Sequence, residues 1–206
     1  SRIIVLGGLT GIGKTELLHA IALQGEQVID LEQLACHKGS VFGALGQSSQ
    51  PTNEQFENNL YAQWGKLDFT RLIWLENESR MIGRITLPDP VVEHISKGIL
   101  ISAELKSSIR ISRLVKEYAG FDKQLLADAV MRIGERLGGS RMKEALNALE
   151  NNRFSDVATI VLAYYDKAYL FSMERRISKS VNNIKISGQD PKADAAQLIE
   201  FAYKYL

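Results

Sequence analysis

The apolar run Ile3-Ile4-Val5-Leu6 leads directly into Gly7-Gly8-Leu9-Thr10-Gly11-Ile12-Gly13-Lys14-Thr15, and a helical pattern follows at once. No other stretch restricts the fold as strongly. A G-x-x-x-x-G-K-T run between a buried strand and a helix is the arrangement of a phosphate-binding P-loop. Gly8, Gly11 and Gly13 let the backbone curl around an anion with successive N–H groups turned inward. Lys14 adds a mobile positive charge, and the helix behind it adds its dipole. Thr15 can offer a hydroxyl to Mg²⁺. The bare motif also arises by chance, so its flanks decide. The strand is continuous and β-branched, Leu17, Leu18, Ile21 and Ala22 share one helical face, and Gly25 stands where a C-terminal cap is expected. Gly8, Thr10, Gly11, Ile12, Gly13, Lys14 and Thr15 are therefore the candidate anion-binding residues.

Downstream, Gln27 to Leu31 predicts a second short strand, followed by a glycine-punctuated segment from Leu34 to Gly46 and a polar stretch from Gln47 to Asn53. Glu54 to Trp64 has helical character, and Arg71 to Glu76 predicts a strand that is apolar up to an acidic end. Pro88 and Pro90 introduce a helix of roughly one to two turns closing near Gly98. Ile99 to Ala103 predicts a fourth strand, with a helix from Ser107 to Tyr118. From Asp122 to about Arg176 the pattern is helical: Leu126, Val130, Ile133 and Leu137 hold one period, Gly138-Gly139-Ser140 stops it, and Ser155 can cap a helix carrying Val157 and Val161. Val181 to Ile186 predicts a fifth strand, and Asp190-Pro191 starts the last helix.

Strands alternating with helices predict a parallel sheet covered on both faces. The expected fold is a P-loop NTPase-like α/β domain of three layers, with a mainly parallel sheet and a C-terminal helical insertion or lid. Residues 1–120 would form the core, 121–178 the helical subdomain, and 179–206 the strand and helix that return to the core.

At 206 residues and 45% hydrophobic, the chain suffices for one such domain with its addition. No segment has the length and purity of a membrane span and no leader resembles a signal peptide, so a cytoplasmic protein with no membrane partner is expected. The abrupt start beside a central strand predicts a piece of a longer polypeptide. A single cysteine, Cys36, excludes an internal disulfide and is weak grounds for a nucleophile. Residues 1–90 carry 7 basic and 10 acidic side chains, residues 91–206 carry 18 and 14, a surplus compatible with a nucleic-acid face but insufficient to assign one.

Glu76, closing the Arg71–Leu75 run, is the candidate catalytic carboxylate, because ligands collect beyond the carboxyl ends of parallel strands. If Mg²⁺ is used, Thr15 and Glu76 would hold it; the residues assign no other cofactor. Asp30 is placed where an acceptor-side carboxylate sits in kinase-like folds, and Glu78 follows Glu76 by two positions. Glu76, Asp30 or both could instead cap or contact a neighbouring loop. Arg80 and Arg84 have the planar fork that grips phosphate oxygens, or they pair with Glu76 and Glu78. His37, in the polar cluster His37-Lys38-Gly39-Ser40, carries modest weight on spacing alone. Tyr164, Tyr165 and Tyr169, near Arg175 and Arg176, could stack bases, but on composition a core role is expected.

A larger pattern joins these pieces. The P-loop is followed by Asp30-Leu31-Glu32, then Leu34-Ala35-Cys36-His37-Lys38-Gly39-Ser40-Val41-Phe42-Gly43, Gln50-Pro51, Phe56-Glu57-Asn58, Glu76-Asn77-Glu78-Ser79-Arg80-Met81-Ile82-Gly83 and Tyr164-Tyr165-Asp166-Lys167-Ala168-Tyr169. In this order, over nearly the whole chain, the set resembles the P-loop domain of the tRNA 2-selenouridine synthase family. The resemblance implies chemistry on tRNA carrying 2-thiouridine at the wobble position: transfer of geranyl from geranyl diphosphate to sulfur, then exchange for selenium from selenophosphate. It implies that Gly11, Gly13, Lys14 and Thr15 hold the diphosphate leaving group, with Arg80 and His37 close to the anion or the tRNA. It also implies a rhodanese-like domain with a reactive cysteine, in cis or in trans, which this chain lacks. Cys36 is no substitute for that cysteine, and Lys38 stands where an arginine is expected.

The alternative is an ATP- or GTP-dependent kinase or NTPase with Glu76 on Mg²⁺. A third reading is a tRNA-binding module without chemistry.

Overall fold

In the computed structural model, which describes residues 3–174 and 181–205, the opening apolar run forms strand β1 (Ile3–Gly7), buried along its whole length. The P-loop leads into α1 (Lys14–Leu23), followed by β2 (Gln27–Ile29), α2 (Leu31–Ala35), α3 (Asn53–Trp64) and β3 (Ile73–Glu76). A short hairpin, β4 (Met81–Ile82) and β5 (Ile85–Thr86), precedes α4 (Asp89–Lys97) and β6 (Ile99–Glu104). Five helices come next: α5 (Ser107–Tyr118), α6 (Lys123–Arg132), α7 (Gly134–Leu137), α8 (Gly139–Glu150) and α9 (Phe154–Glu174). The described chain closes with β7 (Val181–Lys185) and α10 (Pro191–Tyr205).

The main sheet has the order β2-β3-β1-β6-β7, and every pairing in it is parallel. Parallel neighbours that are not consecutive need crossover connections, here supplied by the helices. Successive residues of β1 point to opposite faces, yet Ile3 to Leu6 are all within 5% of full burial, so both faces of the sheet are covered. This is the expected P-loop NTPase-like α/β fold. Leu6 pairs with Glu76 on one side and Ile101 on the other, which aligns the carboxyl ends of β1, β3 and β6. The P-loop and Glu76 therefore leave the sheet at the same edge.

The described residues divide into two compact units, residues 3–8, 12–105 and 181–205 in the first and residues 9–11 and 106–174 in the second. The core of the first is Ile4, Leu6, Leu18, Ile21, Phe56 and Trp74, each fully buried. Burying these six large side chains contributes on the order of 10 kcal/mol before the entropy of ordering them is subtracted. In the second, α9 packs against α5 and α8, and Leu126, Val130, Ala145, Leu149, Val161 and Leu162 are its buried face.

Several expectations need correction. The second strand stops at Ile29 rather than Leu31, because Asp30 caps a helix: its Oδ1 accepts from Gln33 N at 2.7 Å, and α2 runs from Leu31 into the glycine-punctuated segment. The helix behind Pro88 runs for 9 residues rather than one or two turns. Ser155 lies in the first turn of α9 rather than before it. α5 groups with the helical unit and packs against α9. Asp190 does cap the last helix, accepting from Lys192 N at 2.9 Å. Arg175 and Arg176 lie outside the described residues.

Candidate functional site

The P-loop is held open by backbone conformation. Gly8, Gly11 and Gly13 sit at φ +143°, +84° and +86°, a region that side chains with a Cβ rarely enter. Gly13 is the N-cap residue of α1 and, having no side chain, places no capping group over the first turn of that helix. A Cβ on Gly8 would stand 2.7 Å from the Ala103 carbonyl and collide with the Ile12 side chain. Ile12, 2% exposed, thus serves the loop as packing beneath it.

Behind the loop lies a relay of carboxyl groups. Thr15 Oγ1 donates to Glu32 Oε2 at 3.1 Å, and Glu32 N donates to Glu76 Oε2 at 3.0 Å. Glu76 is fully buried, and its Oε1 finds no hydrogen-bond partner among the described residues. Lys14 Nζ is 3.9 Å from Glu78 Oε1. Burial pushes the Glu76 carboxyl well above the usual carboxylate range, and the neighbouring charges of Glu32, Asp30 and Glu78 push it further. Burial also lifts Glu78 to about 7, with Lys14 pulling against it, and raises Glu32 in the same way. All three carboxyl groups therefore hold their protons more tightly than free carboxylates do.

The carboxylate expected beside Thr15 was Glu76; the one found there is Glu32. Glu76 is fully buried and accepts from the Glu32 backbone N–H. Asp30 is taken up by the α2 cap and by His19, whose Nε2 lies 3.1 Å from Oδ2.

The segment after α2 folds back on itself. His37 N donates to Glu32 O at 3.0 Å, and Lys38 N donates to Gly43 O at 3.0 Å. His37 is 9% exposed, and its Nδ1 accepts from Gly39 N at 3.2 Å. That bond leaves the proton of the neutral ring on Nε2, so His37 is built to donate rather than to act as a base. Burial lowers its pKa, in keeping with a neutral ring. A Cβ on Gly39 would lie 2.9 Å from Glu78 Oε2 and 3.0 Å from Glu32 Oε1, so the glycine lets both carboxylates approach the turn. Cys36 ends α2 in the left-handed region at φ 49° and is half-buried.

The two arginines after β3 turn to other partners than the acids anticipated. Arg80 pairs with Asp89 and is 60% exposed, and Arg84 donates to the Gln50 carbonyl. Gln50 itself is a staple: Nε2 donates to Ala35 O at 3.0 Å and Ile82 O at 2.9 Å, while Oε1 accepts from Arg84 N at 2.9 Å. Tyr164 and Tyr165 meet edge to face at 5.1 Å; with Tyr169 they are half-buried rather than in the core. In the same helical unit Arg110 is buried, bonded to the Thr10 carbonyl and to Asp166.

Comparison with known proteins places the chain in a family. The family model of the tRNA 2-selenouridine synthase AAA domain matches residues 1–189. The chain belongs to the tRNA 2-selenouridine synthase family. A relative of that name from Shewanella frigidimarina is 32% identical and one from Sulfurovum sp. is 37% identical, each over 85% of this chain and 55% of the relative. The chain thus spans about half the length of the curated relatives it matches. Among solved structures, a gluconokinase from Sinorhizobium meliloti is 14% identical over 97% of this chain and 94% of that one, with a TM-score of 0.37.

In this member of the family the D-L-E run supplies Glu32 to Thr15, the L-A-x-H run supplies the Gly39 turn, and the E-x-E run supplies Glu76 and Glu78. Glu32, Gln50, Arg110 and Asp166 were not singled out as site residues by spacing or composition. Their signal lay only in the runs: Glu32, Gln50 and Asp166 fall inside blocks that carry the resemblance, whereas Arg110 falls in none.

Proposed function

We propose that this chain is the diphosphate-binding part of an enzyme that modifies wobble uridine in tRNA. The P-loop holds geranyl diphosphate while the geranyl carbon passes to the sulfur of 2-thiouridine. A C–O bond breaks, a C–S bond forms, the diphosphate leaves with the electron pair, and the uridine N3 proton is released. Lys14 and the loop N–H groups stabilise the departing charge, as preorganised donors do. Selenium from selenophosphate then adds at C2, the geranylated sulfur leaves as geranyl thiol, and water takes the phosphoryl group from selenium as phosphate. His37, as an Nε2 donor, is a candidate contact to the anion, and Arg80, exposed, a candidate contact to tRNA. A rhodanese-like domain in cis or in trans supplies the selenium-handling cysteine, and the enzyme works in the cytoplasm. No helix among the described residues is long and apolar enough to cross a membrane.

The observation that carries the reading is the engagement of the P-loop by the family-specific runs: Thr15 by Glu32, and Lys14 by Glu78. Mass spectrometry of 2-thiouridine tRNA incubated with the protein and geranyl diphosphate tests it, with a geranyl mass increment expected. An unmodified tRNA, together with a Lys14→Ala variant that keeps full geranyl diphosphate affinity, would overturn it.

The second reading is nucleotide-dependent phosphoryl transfer, favoured by the contact of Thr15 with a carboxylate. Mg²⁺ prefers a few protein oxygens plus water and phosphate, and the Thr15 hydroxyl and Glu32 carboxylate, 3.1 Å apart, fit that preference. Those two residues, rather than Glu76, would hold the ion, which when bound would neutralise phosphate charge. Fast ATP or GTP turnover with no response to geranyl diphosphate would select this reading.

A further inference from the structure

Among the described residues Arg110 is the only buried arginine or lysine, at 3% exposure. It projects from α5, and its Nε donates to the Thr10 carbonyl at 2.8 Å. Its Nη1 and Nη2 form a two-pronged pair with Asp166 of α9, at 3.0 and 2.6 Å. The loop tip is also packed against the same helix. A Cβ on Gly11 would lie 3.2 Å from the Arg110 carbonyl and 3.3 Å from Leu114 Cγ. Residues 9–11 accordingly cluster with 106–174 rather than with the strand that leads into them.

The peptide plane makes this contact consequential. In a trans peptide the carbonyl of one residue and the N–H of the next point in opposite directions. There are no cis peptides among the described residues, so a Thr10 carbonyl held toward Arg110 turns the Gly11 N–H the other way. We propose that Arg110, oriented by Asp166, is a positioning residue that sets the direction of the Gly11 N–H donor in the P-loop without touching the ligand. Three of its five N–H donors are committed to Thr10 and Asp166. Lysine cannot reproduce this fork, because a point ammonium has no fixed plane with which to serve a carbonyl and a carboxylate together.

The consequence for anion binding rests on the diphosphate reading above, whereas the consequence for the loop does not. Arg110→Lys and Asp166→Asn are made in the 206-residue chain, with circular dichroism melts to establish folding. Amide exchange of the segment covering residues 9–12 is measured without ligand, and inorganic diphosphate affinity by calorimetry. Both variants are expected to speed exchange at the loop tip by about tenfold, leave α8 protected, and weaken diphosphate by about tenfold. The sign for Asp166→Asn is decisive. If Arg110 touched the anion directly, removing the carboxylate charge would leave affinity unchanged or raise it, and that result overturns the proposal. Unchanged loop exchange in both variants also overturns it. Faster tip exchange in a chain that binds no diphosphate supports the positioning role while overturning the diphosphate reading.

Discussion

The loop at Gly8–Thr15 and the turn at His37–Gly43 meet through Glu78, yet they are made from opposite materials. The first concentrates positive partial charge in backbone N–H groups and needs glycines to aim them. The second brings carboxyl side chains together and needs a glycine to admit them. The first works because its dipoles are fixed before a ligand arrives. The second is tolerable because burial makes Glu32, Glu76 and Glu78 hold their protons more tightly than free carboxylates. An anion site can therefore sit against an acidic cluster without being repelled in proportion to its composition.

The sharpest way to break this contrast is Lys14→Ala, which removes the one long-reaching cation of the P-loop. It is expected to weaken diphosphate on the order of 100-fold in calorimetry with little change in the melting curve. A loss of only a few fold would mean that the backbone alone carries the binding. Gly39→Ala attacks the other side. At φ +67° and with both carboxylates near 3 Å, it should cost about 2–3 kcal/mol in urea unfolding. A neutral result would mean that the turn relaxes freely.

A pH series sharpens the comparison further. The Glu78 carboxyl is raised from 4.5 to about 7, so it binds its proton more tightly in the folded chain than in the unfolded one. Its contribution to stability is then full below about 4.5 and declines as pH rises to about 7, the reverse of a salt-bridged carboxylate. About 3 kcal/mol should be lost across that window, and Glu78→Gln should remove most of the slope in urea melts at each pH. An unaltered slope in that variant would assign the effect to Glu32 and Glu76. The smallest expected effect is that of Arg80→Ala. Its partner Asp89 is exposed too, so stability should change by less than about 0.5 kcal/mol. A weakened, less salt-dependent tRNA affinity in that variant would give Arg80 its proposed role.

How much of this was legible in the sequence depends on distance along the chain. β1, the P-loop and α1 are local: strand, glycines and helical face are contiguous, so periodicity and motif suffice. The same holds for Asp190 at the start of α10. α2 escaped because five residues are too few for a helical period to emerge, although Asp30 was a serviceable cap signal. β4 and β5 have two residues each, below any alternation pattern. The site contacts are harder still. Glu32 and Glu76 are 44 positions apart and Arg110 and Asp166 are 56, and nothing in their own neighbourhoods marks them as partners. Glu76 looked like a pocket carboxylate because strand ends usually deliver one; here the strand end is roofed by Glu32. The family resemblance grouped the right runs, but only the fold shows which atom meets which.

Gln50 carries a practical corollary. Its single amide ties the end of α2, the β4–β5 hairpin and the backbone of Arg84 into one knot. The runs around His37 and Glu76 are therefore not portable parts. A chimera that grafts either onto another P-loop scaffold without a glutamine at the matching place would leave two carbonyls and an amide N–H seeking water, and the graft would fail as a unit rather than degrade by degrees.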